Sequence, residues 1–196
     1  EELCHSVGEL FLHAMSPVTV VMTHLSYVVE KYASELLTRE AVAEMVDEIK
    51  SNAPRVVDSV INEKESLSRL HHILKSLLAE QVPVRDLPTI FETVSDCSDL
   101  PIEACIEKIR STLRRQICAN VSTTGPEGQQ LIYCVELPAE VEIAVSNMRV
   151  STDEFSDALN QAAIPLVQEG LPIVVVSSNA SRPRVRAHVV SGTEDI

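Results

Sequence analysis

The stretch LLAEQVPVRDLPTIFETV, residues 77–94, places a short turn between two apolar helical segments. Pro83 cannot continue a helix, because proline lacks a backbone N–H and its ring clashes with the preceding turn. Asp86 is a residue type that accepts hydrogen bonds from the free N–H groups of a first helical turn. We therefore predict that one helix ends before Pro83 and that Asp86 caps the next. The inward-facing residues of that second helix are predicted to be Ile90, Phe91 and Val94.

Helical patterns also surround this stretch. A Ser-Pro pair at 16–17 predicts a helix start, and apolar residues then recur at three- and four-residue steps as far as Leu36. Thr38 and Pro101 are predicted to begin two further helices. Residues 16–118 are therefore predicted to be entirely helical.

The pattern changes at residues 120–130, NVSTTGPEGQQ, whose glycines and small polar residues indicate a loop or linker. Further on, Ser151 to Glu154 form a capping-box sequence before a helix that Pro165 is expected to kink or end. Three segments have strand-like patterns: LIYCVEL (131–137), LPIVVVSS (171–178) and RVRAHVV (184–190). The predicted fold class is α+β, an all-helical, helix-turn-helix-like subdomain followed by a small α/β subdomain.

The composition limits the classes of partner. The chain has 196 residues and a formal net charge of −13, so phosphate backbones and anionic lipid surfaces would repel it. Hydrophobic residues make up 45% and aromatic residues only 3%, which predicts aliphatic cores. The five cysteines include no C-x-x-C pair and are interpreted as buried, reduced thiols of a cytosolic protein. No apolar run approaches the ~20 residues of a spanning helix, and because the chain begins at Glu1 without Met we expect it to be a piece of a longer protein.

Catalytic, cofactor and metal motifs are not found in the sequence. The five glycines are scattered and form no phosphate-binding loop, and no G-x-S-x-G is present. His71 and His72 are adjacent on a helix and point about 100° apart, so they cannot chelate one ion together. His71 is predicted to be a partly buried, hydrogen-bonded core residue. We predict no catalytic, cofactor-binding or metal-binding residues, although an enzyme whose site leaves no local motif stays an open alternative.

The order helix, turn, helix around residues 82–86 also allows a second hypothesis, a nucleic-acid-binding or transcription-related domain. Recognition helices normally carry cations. The corresponding helix here contains Glu92, Asp96 and Asp99 and no cation. The local charge therefore disfavours nucleic-acid binding, whereas docking of a protein is compatible with it.

Two clusters of basic residues stand out in this acidic chain. One lies near the end of a predicted helix: Lys108, Arg110, Arg114 and Arg115. The other alternates along the predicted last strand and so would share one face: Arg182, Arg184 and Arg186. Both groups either contact acidic surface on a neighbouring subunit or are simply solvated charge.

Three segments resemble the FlhA/InvA-type (SctV) export gate family of flagellar and injectisome type III secretion. The residues that carry the resemblance are SPVTVVMTHLSYVVEKYASELLTREAV (16–42), LHHILKSLLAEQVPVRDLPTIFETVSD (70–96) and IEKIRSTLRRQIC (106–118). The similarity extends over about residues 16–180. The V-R-D-L-P-T-I block within it is its most specific part.

The resemblance implies a non-enzymatic cytoplasmic domain at the inner membrane of a bacterium, beneath a membrane-embedded region of the parent protein. It implies a ring of nine copies that receives chaperone–substrate complexes and contacts the stalk protein of the export ATPase. Residues 1–35 would be the remnant of a first subdomain with its linking helix, residues 36–120 the helical subdomain, and residues 121–196 the α/β subdomain. The fragment itself is expected to be soluble.

Subunit-interface residues follow from the turn and from the resemblance together. Arg85 is a cation at a fixed turn, and we expect it to face the next subunit of the ring. Asp86, Arg110 and Arg114 are the other candidate interface residues.

Overall fold

The computed structural model describes residues 16–52, residue 57 and residues 64–193. The prediction for residues 1–15 lies outside this part of the chain. The protein divides into two compact units, one that runs to Thr112 and one that begins at Leu113. The finer division predicted from the sequence, at residues 35/36 and 120/121, stays a prediction.

The described part of the first unit is helical. In chain order its helices are α1 (Pro17–Lys31), α2 (Ala33–Leu36), α3 (Arg39–Asn52), α4 (Lys64–Ala79), α5 (Leu87–Asp96) and α6 (Ile102–Thr112). The predicted caps are present. Ser16 Oγ accepts a hydrogen bond from the Thr19 N–H at 3.1 Å, and Thr38 Oγ1 accepts one from the Ala41 N–H at 3.1 Å.

Helix α4 is the centre of this unit, because α2, α3 and α6 all pack against it while α5 packs against α6. Its leucine-rich stripe is buried at Leu70, Leu74 and Leu77, and the inward face predicted for α5 is buried as well. The buried residues include Val42, Val46, Leu70, Ile73, Leu74, Leu77, Ile90, Phe91, Val94, Cys105 and Ile109. The aliphatic core predicted from the composition is thus confirmed here.

Helix α1 has no buried residue, although it carries the predicted apolar stripe. Val18 is 71% exposed and Val21 is 65% exposed, and the stripe ends at Leu36, which is 61% exposed. This face of α1 and α2 is therefore apolar and uncovered within the described part of the chain.

The second unit mixes short strands with helices. Its elements are α7 (Arg114–Val121), β1 (Thr123–Thr124), β2 (Gln130–Leu131), β3 (Val135–Glu136), α8 (Ala139–Ser146), α9 (Thr152–Gln168), β4 (Val175–Val176) and α10 (Arg182–Thr193). Strands β1 and β2 pair antiparallel around the Gly125–Gly128 turn, and β3 pairs parallel with β4. Helix α10 packs against α8 and α9 over a core of Val145, Phe155 and Val185. The predicted α+β class is confirmed.

Residues 184–190 correct one prediction, since they form helix α10 and not a last strand. Arg182, Arg184 and Arg186 occupy alternate positions, a spacing that is typical of a strand. Val185 and Val189 lie four residues apart, so they fall on one helix face and pack into the core. Arg184 therefore does not share a strand face with its neighbours, and its guanidinium donates to the Ser146 carbonyl.

Pro165 was predicted to kink or end its helix, and it does not end it. Helix α9 continues past it to Gln168. Gly170 follows the C-cap residue Glu169, and its φ of 67° is the left-handed conformation that glycine adopts without a steric penalty. The predicted capping box at Ser151 and Glu154 is present.

Candidate functional site

The V-P-V-R-D turn begins with a tightly specified end of α4. The Gln81 N–H donates to the Leu78 carbonyl at 2.9 Å, and the Val82 N–H donates to the Leu77 carbonyl at 2.9 Å. Gln81 has a φ of 54°, so this is a Schellman motif with a non-glycine residue in the left-handed position. Val82 is 3% exposed. The start of the turn is therefore anchored by hydrogen bonds and by burial.

The other end of the turn is anchored by the predicted cap. Asp86 Oδ1 accepts a hydrogen bond from the Thr89 N–H at 3.3 Å, and the Asp86 carbonyl accepts one from the Ile90 N–H at 3.1 Å. Pro88 in the first turn presets the helical φ. Arg85 thus extends from a short segment that is held at both ends.

Arg85 is exposed and makes no ion pair with a described residue. Its position agrees with the turn-plus-cap prediction. A guanidinium on a long side chain at a fixed backbone position is suited to bind carboxylates, because it presents five donors in a planar fork.

Arg110, a second candidate interface residue, forms an ion pair within the first unit. Its Nη1 lies 2.6 Å from Glu80 Oε2, and both side chains are mostly buried, with 21% and 11% exposed. The pair joins α6 to the residue that follows α4. This pairing could not be predicted from the sequence, because the partners are thirty positions apart and share no helix face.

Arg114 opens α7 in the second unit and is exposed. The structure therefore places Arg85, Asp86 and Arg110 in the first unit and Arg114 in the second. Within the first unit, Asp86 and Arg110 have structural partners, while Arg85 points to solvent.

His71 occupies the environment predicted for it. Its side chain is partly buried, and Nε2 lies 2.9 Å from the Leu37 carbonyl at the end of α2. This contact ties α4 to the α2–α3 connection. His72 beside it is exposed, so the two rings do not form a joint site.

The second unit contains a polar cluster that sequence reasoning missed. The Glu142 carboxylate of α8 accepts three hydrogen bonds: from the Ser178 N–H at 2.8 Å, the Ser178 hydroxyl at 2.5 Å and the Ser181 hydroxyl at 2.8 Å. These bonds lower the pKa of Glu142 below its ordinary value, because they favour the charged form. Ser181 precedes α10, so the carboxylate also lies at the positive end of that helix.

Comparison with known proteins shows the family to which the chain belongs. The chain matches the FHIPEP family over residues 5–195. The chain belongs to the FHIPEP family. Among its relatives is the flagellar biosynthesis protein FlhA of Treponema pallidum, which is 28% identical over 186 residues, covering 86% of this chain and 26% of the relative. This FHIPEP chain thus spans about a quarter of the length of the curated relative.

Solved structures give the same fold. A structure of the Chlamydia pneumoniae CdsV and CdsO protein complex aligns with all of this FHIPEP chain and with 61% of the other chain, at a TM-score of 0.74 and 24% identity. A cryo-EM structure of nonameric EPEC SctV-C aligns with 88% of this chain and 55% of the other, at a TM-score of 0.67 and 21% identity. The resemblance to FlhA/InvA-type (SctV) proteins that the sequence indicated is confirmed.

The described residues of this FHIPEP chain lack two kinds of feature. No helix there is both long enough and apolar enough to cross a membrane. No group of three or more His, Cys, Asp or Glu side chains in that part of the chain is placed to hold a metal ion.

Proposed function

We propose that this chain is part of the cytoplasmic domain of a type III secretion export gate, flagellar or injectisome. In this proposal it is a non-enzymatic docking platform at the inner membrane. The match to the FHIPEP family over residues 5–195 is the observation that carries it. The relatives named as flagellar biosynthesis proteins and the fold shared with SctV-C support it.

Self-assembly into a ring is the second part of the proposal. A protein of the same fold forms a nonamer, and this chain offers an exposed arginine on a turn fixed at both ends. The formal net charge of −13 means that acidic side chains outnumber basic ones. A copy-to-copy contact therefore pairs Arg85 with an acidic surface of the next subunit.

The proposed interface set is Arg85, Asp86, Arg110 and Arg114. Arg85 is the residue to test first. Asp86 caps α5 and Arg110 pairs with Glu80, so changing either residue alters the fold of its own subunit as well. Arg85 has no such role among the described residues.

The experiment compares Arg85→Glu with Lys50→Glu, a matched charge reversal on the exposed face of α3. Sedimentation velocity over a range of protein concentrations measures assembly, and thermal unfolding measures the monomer. We expect Arg85→Glu to weaken assembly at least tenfold while its melting temperature stays close to that of the parent. Equal weakening by both variants would instead indicate an effect of net charge, and unfolding of the Arg85→Glu monomer would indicate an internal role.

The apolar face of α1 supports the proposal that residues 1–35 are the remnant of a first subdomain. In a longer protein, the rest of that subdomain would cover the face. Val21→Glu combined with Leu25→Glu is then expected to leave the unfolding free energy of this chain unchanged and to lower that of the longer protein. A similar loss in both would show that α1 is already packed in this chain.

Other partners belong to the proposal as well. The similar CdsV protein was solved in complex with CdsO, which supports binding of a separate partner such as the stalk protein of the export ATPase. Chaperone–substrate complexes are the other proposed ligands. The nucleic-acid hypothesis gains no support, because the exposed positions of α5 include Glu92 and Asp96 and carry no cation.

A further inference from the structure

Two cysteines meet in the core of the first unit. Cys97 follows the last residue of α5 and is 2% exposed, and Cys105 lies in α6 and is fully buried. Helices α5 and α6 pack against each other. The Cys97 thiol is close enough to influence the Cys105 thiol electrostatically, and neither cysteine is in a disulfide in this structure.

We propose that Cys97 and Cys105 form an intramolecular disulfide when a small disulfide oxidant, such as oxidised glutathione, gains access to them. The bond would join the end of α5 to the first part of α6. Both residues are buried between two helices that pack against each other, and they are eight positions apart. A disulfide forms where the two Cα atoms lie about 4.4–6.8 Å apart, a separation that neighbouring packed helices can offer. Cys118 and Cys134 of the second unit are exposed, whereas Cys97 and Cys105 are buried.

The reaction balances in two exchange steps. The Cys97 thiol loses its proton to water, and its sulfur attacks one sulfur of oxidised glutathione. The glutathione S–S bond breaks and one glutathione leaves as a thiol. The Cys105 sulfur, after losing its proton, then attacks the Cys97 sulfur and expels the second glutathione, so that two protein thiols are oxidised and one glutathione disulfide is reduced.

Burial determines which step limits the reaction. Burial and the neighbouring Cys97 raise the pKa of Cys105 to about 11, and the Arg69 guanidinium opposes this increase. The thiolate is the nucleophile, so the closed core is unreactive. Exchange therefore begins through local opening at Cys97, next to the exposed residues 98–100. Once Cys97 carries glutathione, reclosure places the Cys105 sulfur against it, and proximity favours the second step.

Arg69 opposes the local opening at Cys97. Its Nη2 donates to the Cys97 carbonyl at 3.0 Å and to the Leu100 carbonyl at 2.6 Å. These two bonds fix the connection between α5 and α6. Arg69→Met keeps an unbranched apolar stem and removes both donors, so it is expected to accelerate disulfide formation several-fold.

The experiment uses the whole chain with Cys118→Ser and Cys134→Ser, incubated with oxidised glutathione at mildly alkaline pH in buffer and in urea below the unfolding transition. Trypsin cleaves after Arg85 and Lys108, so both cysteines lie on the peptide 86–108. Cleavage after Glu103 then separates them unless a disulfide links the two fragments. Mass spectrometry is expected to show the loss of two hydrogens and linked fragments. The melting temperature of the oxidised chain should rise by a few degrees, because a cross-link restricts the unfolded state.

Two single variants complete the test. Cys97→Ser and Cys105→Ser are expected to give no linked fragments and no rise in melting temperature on oxidation. The proposal is overturned if the parent peptide 86–108 stays reduced in both conditions, carries glutathione without closing, or links only between two chains. It is also overturned if the disulfide forms only in fully denaturing urea.

Discussion

The Arg110 guanidinium lies 2.6 Å from the Glu80 carboxylate, at the point where α4 ends and the V-P-V-R-D turn begins. This ion pair ties α6 to the residue just before Gln81, the left-handed residue that sets the direction of the turn. The position from which Arg85 extends is therefore determined partly by α6. The structure separates the two arginines by role: Arg110 supports the turn from inside, and Arg85 faces solvent from it.

Breaking this pair should destabilise the first unit. Arg110→Met or Glu80→Gln is expected to cost about 1–2 kcal/mol of unfolding free energy, between the values for exposed and fully buried pairs. Urea unfolding of both single variants and the double variant measures the coupling in a double-mutant cycle. Additive effects would show that the pair contributes no interaction energy. A change in assembly without a change in unfolding would assign Arg110 to the subunit interface.

The cap of α5 gives a second prediction. Asp86→Ala removes the acceptor for the Thr89 N–H and should cost about 1 kcal/mol of unfolding free energy. Asp86→Asn keeps an acceptor oxygen and is the matched control, with a smaller expected loss. Chemical denaturation monitored by circular dichroism checks both. Equal stability of Asp86→Ala and the parent would mean that water replaces the cap without cost.

Local chemistry explains why this region was predictable. Pro83, Asp86 and the Ser16–Pro17 pair act on backbone groups within four residues, so their effect can be read from the sequence. The pairing of Arg110 with Glu80 and the contact of His71 with the Leu37 carbonyl span about thirty positions. Such contacts depend on how α2, α4 and α6 pack. No spacing rule in one sequence determines them.

The third prediction concerns Gln81 and Gly170, where substitutions are expected to change the stability in opposite directions. Both occupy left-handed positions after a helix, with φ values of 54° and 67°. Gln81→Gly removes the steric cost of a Cβ there and is expected to add about 0.5–1 kcal/mol of stability, although the more flexible unfolded chain offsets part of it. Gly170→Ala is expected to cost about 1 kcal/mol, from backbone strain alone, because nothing lies within 4 Å of the added Cβ. Thermal unfolding of each variant measures the sign. A loss of stability in Gln81→Gly would show that the Gln81 side chain makes a contact worth more than the strain.

The second unit was harder to predict, and α10 shows why. Arginines at alternate positions of residues 182–186 gave a strand period, while the helical signal rested on Val185 and Val189 alone. Ser178 and Ser181 lie just before α10. The hydroxyl groups of both donate hydrogen bonds to the Glu142 carboxylate, which belongs to α8. The Ser178 Oγ also accepts a local hydrogen bond from the Ser181 N–H at 3.4 Å, but the contacts with Glu142, about forty positions away, cannot be read from the local sequence.

Glu142 therefore couples the docking of α10 to pH. Three hydrogen bonds hold its pKa below the ordinary value of 4.5, so the folded unit binds a proton at this site less readily than the unfolded chain does. The stability that Glu142 contributes is thus complete above the unfolded pKa and is lost as the pH falls through the lowered folded pKa. In Glu142→Gln the site cannot titrate, and we expect the variant to be less stable at neutral pH and to lose less stability on acidification. Unfolding of the second unit from pH 7 to pH 3 measures the two curves, with Glu140→Gln, an exposed carboxylate two positions earlier in α8, as the matched control. Parallel curves for Glu142→Gln and the parent would show that the serine hydroxyls do not favour the charged carboxylate, and α10 would then be held by its apolar face alone.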